Sequence, residues 1–305
     1  MAEFYDVIII GGGAAGSSAA SFTASRRLKT LLLDKGVEEG FLGGMGAVSH
    51  FPGIADATSG PELISRLRKQ AEHSGGQIRT ATVDGLDVQT NRHNVKAGNE
   101  TFEARTVILA TGAAARTGYL SGERELLGRG VFHDAHTDGP AAQDKEVAVI
   151  GKSKLAAEEA LLLSKYAQKI HFLVPSNRLD AEGKLFSQVQ HDRRIELLFS
   201  TSIKTINGQD HVESITVFSG GQEKEIQVST VFTYMHDYQP MNQFLKNVIQ
   251  TAPNGAVMVN EQFETSVPGV FACGDVLCAK PQMPAISVAQ GLLAGIGADQ
   301  YMQPK

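Results

Sequence analysis

The chain has 305 residues, roughly twice a usual domain of about 150, so two compact units are expected. Hydrophobic residues make up 42% and charged residues 20%, and 28 basic against 33 acidic side chains leave a net charge of −5. That balance excludes a disordered chain and argues against a nucleic-acid binder, which would carry a basic excess. Two cysteines, Cys273 and Cys278, exclude a disulfide framework and a four-thiolate zinc site, and no metal site of another kind is expected.

The N-terminal apolar run, Val7 to Ile10, is far too short to span a membrane. Glu3 and Asp6 stand where a secretory signal has its basic residues, so the reading is cytoplasmic with no membrane partner. Tyr5 to Ile10 predicts a strand buried on both faces, followed by Gly11-Gly12-Gly13-Ala14-Ala15-Gly16 and a small-residue helix from Ser17 to Ser25. A second strand, Thr30 to Leu33, ends in Asp34 and completes a β-α-β unit. A helix over 61–74 starts with Pro and Glu and stops before Gly75-Gly76. Strands over 80–89, 94–97 and 101–103 predict a small meander, and a buried strand over 106–110 ends at Thr111-Gly112.

A second β-α-β pattern then runs through a strand over 146–150, a turn at Gly151-Lys152-Ser153-Lys154, a helix over 155–166 and a strand over 169–174. Val270 to Asp275 repeats the pattern of an apolar strand followed by Gly, and a helix over 284–301 closes the chain. The order predicts an α/β fold of two Rossmann-like, three-layer nucleotide-binding domains, the second inserted into the first. The first domain is placed at 1–113 and 245–305 and the inserted one at 114–244.

In Gly11-x-Gly13-x-x-Gly16 the first glycine permits a tight turn, the second lets backbone approach a pyrophosphate, and the third lets helix and strand pack closely. Asp34 is placed to accept hydrogen bonds from a ribose. Gly274-Asp275 supplies a carboxylate for a ribitol and helix-end N–H groups for a flavin carbonyl, which points to FAD rather than NAD.

These stretches carry a resemblance. IIIGGGAAG with Asp34, GGMGAVSHFPG over 43–53, the ATG of 110–112, AAEEA over 156–160 and GVFACGDV over 269–276 are similar to the low-molecular-weight thioredoxin reductase family of FAD-dependent pyridine nucleotide-disulfide oxidoreductases. The resemblance spans essentially the whole chain. It implies a homodimer in which an NADPH domain, rotating about a two-stranded hinge, interrupts an FAD domain. It also implies that Gly43 and Gly44 lie under the flavin and that His50 replaces a flavin-contacting Asn. The cofactor-binding set expected is Gly11, Gly13, Ala14, Ala15, Gly16, Asp34, Gly43, Gly44, His50, Thr111, Gly112, Gly274, Asp275 and Ala285.

Two departures stand out. The family's redox Cys-x-x-Cys falls on Gly130 to Gly139, where Asp134 and Thr137 occupy the cysteine positions, and neither side chain can cycle between dithiol and disulfide. Asp134 and His136, with His133 nearby, are candidates for acid/base chemistry beside the flavin; the alternative is a polar surface loop. In the second glycine turn Ser153 stands where pyrophosphate approaches backbone. Of the basic cluster that pairs with a 2′-phosphate only Arg178 remains, with Lys152 and Lys154 as partial substitutes. Cys273 and Cys278 flank Gly274-Asp275 and are not expected to form a relocated redox pair.

The reading is an FAD-dependent oxidoreductase without the dithiol relay and without ordinary NADPH use. Its electrons would come from a ferredoxin-like protein, a second flavin or a directly bound substrate, and the inserted domain could hold a second nucleotide. The alternatives are a non-catalytic FAD-binding interaction or sensor protein, and an NAD(P)H-dependent ferredoxin reductase-like enzyme.

Overall fold

The structure, a computed structural model, describes residues 3–36, 40–48, 51–54, 56, 58–115, 120–235, 238–246, 248–278 and 282–303. Contacts divide the chain into two units, Met1–Gly44 with Ser49–Ala114 and Tyr238–Lys305, and Met45–Val48 with Ala115–Asp237.

The first unit begins with β1 (Phe4–Ile10), α1 (Ala14–Ser25), β2 (Thr30–Asp34), α2 (Gly60–His73) and β3 (Gln77–Thr80). It continues with β4 (Gly85–Asp87), β5 (His93–Ala97), β6 (Glu100–Leu109) and β7 (Ala113–Ala115). The sheet order is β3-β2-β1-β6-β5-β4, parallel through β6 and antiparallel beyond it. A strand in the middle of a parallel sheet must be apolar on both faces. Accordingly Ile8 and Ile10 of β1 enter one core and Val7 and Ile9 the other.

Two strand expectations change. The stretches 101–103 and 106–110 form one strand, β6, because exposed Arg105 alternates with buried Ala104 and Thr106, and a side chain on the outer face interrupts nothing. The stretch 80–89 divides into β3 and β4, which join opposite edges of the sheet.

The second unit contains β8 (Val131–Phe132), α3 (Ala135–Asp138), β9 (Glu146–Ile150), α4 (Lys154–Leu163), β10 (Lys169–Val174), α5 (Gly183–His191) and β11 (Ile195–Phe199). Strands β12 (Ser202–Asn207), β13 (Ser214–Ser219) and β14 (Gln222–Gln227) form an antiparallel sheet before β15 (Thr230–Thr233). The main sheet is parallel in the order β11-β10-β9-β15-β8, and Val147, Val149, Phe172 and Ala160 lie in its core.

The chain re-enters the first unit at β16 (Tyr238–Pro240), which pairs with β7. That is earlier than residue 245 of the sequence reading, because the pairing ties this segment to the first unit. Strand β17 (Val270–Ala272) then adds to the C-terminal half of β6, and α6 (Pro284–Met302) packs on α1. Among the described residues no helix is long and apolar enough to cross a membrane.

Candidate functional site

A cavity of about 420 Å³ opens in the first unit at the C-terminal ends of β1, β2 and β6, next to Ile10, Leu33 and Ala110. That is where an open α/β sheet binds ligands, outside the carboxyl ends of its strands. Gly11, Gly13, Ala14, Ala15 and Asp34 line it, as do Gly43, Thr111, Gly112, Gly274 and Asp275.

Gly11 and Gly16 do the turn and packing work that the spacing predicts. Gly11 has φ +104°, and a Cβ there would stand 2.3 Å from the Ala110 carbonyl oxygen. A Cβ on Gly16 would stand 1.8 Å from the Gly11 oxygen, so Gly16 serves helix–strand packing and does not line the cavity. Gly13 has nothing within 4 Å of its Cβ position. It is the N-cap of α1, and no side chain there bonds to the first-turn amides. Thr111 adds a hydroxyl that is buried without a hydrogen-bond partner among the described residues.

Asp34 is already engaged. Its Oδ2 accepts from the Gly12 N–H at 2.6 Å, and its Oδ1 accepts from the Gly36 N–H at 2.9 Å and from Arg68 at 2.5 Å. Arg68, from α2, also donates to the Gly12 carbonyl and lines the cavity. The sequence offered no signal for it, since one arginine on an amphipathic helix reads as solvated charge. Gly44 and Ala285 adjoin lining residues without lining the cavity themselves, and His50 lies outside the described residues.

The second turn is built differently. Ser153 is the N-cap of α4, and its hydroxyl accepts from the Ala156 N–H at 3.2 Å. The helix end therefore spends one of its unbonded amides on its own side chain. The nearby cations have carboxylate neighbours: Lys152 and Arg178 lie 3.9 and 3.6 Å from Asp180, and Lys154 lies 3.4 Å from Glu158.

Asp134 is the N-cap of α3, its carboxylate accepting from the His136 N–H at 2.9 Å. The close carboxylate partner of the imidazole is Glu159, 2.9 Å from Nδ1, while Asp134 stands 3.7 Å away. Glu159 sits inside AAEEA, a stretch that reads as helix-forming and hides its role. Nearby, burial and then the charge of Asp134 push the Asp138 carboxyl up to about 7. His133 pairs with buried Glu123 at 2.7 Å. Cys273 and Cys278 are not joined, and burial pushes the Cys273 thiol up to about 12, far from a reactive thiolate.

A family model described as pyridine nucleotide-disulphide oxidoreductase matches residues 5–291. The chain belongs to this family. Within it, this oxidoreductase is 34% identical to thioredoxin reductase of Aquifex aeolicus over 99% of the chain and 94% of that relative. It is 30% identical to thioredoxin reductase of Bacillus subtilis over 99% and 96%. The solved thioredoxin reductase of Streptococcus pyogenes superposes with a TM-score of 0.93 at 27% identity, covering 99% of both chains. The oxidoreductase is thus of thioredoxin reductase type, and that family uses FAD.

Proposed function

We propose that this oxidoreductase holds FAD in its first unit and transfers electrons without a dithiol relay and without ordinary use of NADPH. The donor would be a ferredoxin-like protein, a second flavin or a directly bound substrate. The contrast between the two helix ends carries the reading. At Gly13 the turn leaves backbone amides for a pyrophosphate, whereas at Ser153 the side chain takes the amide a phosphate would need.

FAD, when bound, supplies the redox centre. Gly13, Ala14 and Ala15 would hold its pyrophosphate, Asp34 with Arg68 its ribose, and Thr111, Gly274 and Asp275 the remaining polar groups. The chain has cysteines only at 273 and 278. Burial of the first thiol supports electron transfer by a route other than disulfide exchange. A homodimer in the cytoplasm is the assembly that family membership favours.

Anaerobic mixing with NADPH, NADH and a reduced ferredoxin, followed at the flavin absorbance band, tests the proposal. Bleaching by the protein donor at a rate well above that with either nucleotide is expected, and Ser153→Gly should raise the rate with NADPH. Rapid bleaching of the unaltered protein by NADPH would restore the nucleotide-dependent alternative. Absence of bleaching by every donor would favour the non-catalytic one.

A further inference from the structure

The cluster around Glu159 lies wholly within the second unit and takes no part in the reading above. Glu159 is buried, at 4% exposure, and its two oxygens are used differently. Oε2 accepts from the Ala135 N–H at 2.6 Å and from the Tyr234 hydroxyl at 2.9 Å. Oε1 lies 2.9 Å from His136 Nδ1. Asp134 Oδ1 stands 3.7 Å from the same nitrogen, and one donor atom from each of the three side chains falls within 4.8 Å of the others.

We infer that Asp134, His136 and Glu159 form a site for a divalent transition-metal cation of the zinc type, bound through His136 Nδ1 and a carboxylate oxygen from each acid. Zinc bonds to nitrogen and oxygen are about 2.0–2.2 Å, which sets neighbouring donor atoms about 3–3.6 Å apart. The two separations from His136 Nδ1, 2.9 and 3.7 Å, bracket that range, and with all three atoms within 4.8 Å of one another the two carboxylates need only a small rotamer adjustment to close on an ion. One imidazole with two carboxylates suits zinc, manganese or ferrous iron, whereas magnesium and calcium prefer oxygen alone. The donors on Oε2 do what outer partners of a metal carboxylate do: they hold one oxygen so that the other is aimed. His136 is 67% exposed in its side chain, so the cluster reaches the protein surface, where ions have access to it. Asp134 and His136, which the sequence offered either as acid/base candidates or as part of a polar surface loop, become two ligands of one cation.

Titration of the FAD-loaded protein with Zn²⁺ by isothermal calorimetry, with Mg²⁺ as a control, tests this independently of any flavin reduction. One equivalent of Zn²⁺ should bind, and Mg²⁺ should not. His136→Gln and Glu159→Gln should each abolish that equivalent, and Tyr234→Phe should weaken it about 10- to 100-fold. Because His136 is exposed, His136→Gln tests the site without threatening the fold. No stoichiometric binding by the unaltered protein, or binding unchanged in His136→Gln, would reduce the cluster to an ordinary ion pair.

Discussion

Gly13 has φ −73°, a conformation open to any residue, and no atom near its Cβ position. A side chain added there meets no protein and can only enter the cavity. Gly13→Val is therefore expected to fold but to purify without flavin; a yellow variant would show that the pyrophosphate lies elsewhere. Gly11 offers no such test, because any Cβ collides with backbone. His93 tests a different property. It is fully buried, and burial holds its pKa below the ordinary 6.5, with a smaller opposing contribution from a backbone contact at Pro268. The unfolded chain thus takes the proton first as pH falls. The stability involved is complete above about pH 6.5 and is lost below it, with a slope approaching about 1.4 kcal/mol per pH unit. Urea unfolding between pH 7.5 and 5.5 should show a shallower slope in His93→Leu than in the unaltered protein, and equal slopes would refute the assignment.

At the scale of elements, α1 and α6 cross closely because both are lined with small residues. A Cβ on Gly291 would lie 2.0 Å from the Ala15 carbonyl oxygen, and Ser18 donates to the Val288 carbonyl across the same contact. The obstacle is backbone, so a helix must move. Gly291→Ala should cost about 1–3 kcal/mol in thermal or urea unfolding. It should also weaken FAD retention, because Ala14 and Ala15 line the cavity. Leu293→Ala on the same helix, at an exposed position, should stay within about 0.5 kcal/mol of the unaltered protein. If both variants behaved alike, the close crossing would not be what sets the position of α1.

For the whole molecule, every described residue lining the cavity belongs to the first unit. One equivalent of FAD added to stripped protein should therefore slow amide hydrogen exchange at Ile10–Ala15 and Thr111–Ala113, leaving β9 and β10 unchanged. It should also raise the melting temperature, as any ligand bound only by the folded state does. Equal slowing in β9 and β10 would mean that the second glycine turn takes the nucleotide.

Much of this was legible in the residues because local physics sufficed. Glycine spacing between a buried strand and a helix, and an acid at the end of the next strand, report backbone conformation and hydrogen-bonding capacity directly. The residues they picked out, Gly11, Gly13 and Asp34, line the cavity; Gly43, Thr111 and Gly112, which also line it, were expected from the family resemblance. The strands at 146–150 and 169–174 were equally plain, since a parallel strand buried on both faces is apolar throughout. What the sequence by itself could not decide was which distant groups meet. The Arg68 guanidinium reaches Asp34 only because α2 packs beside the first turn, and Glu159 reaches His136 only because α4 presents it to α3. Likewise the Ser153 hydroxyl could have pointed anywhere until the helix end oriented it as a cap. Patterning reports which face of an element is buried; the partner found on that face depends on how the elements pack, and only the tertiary structure contains that information.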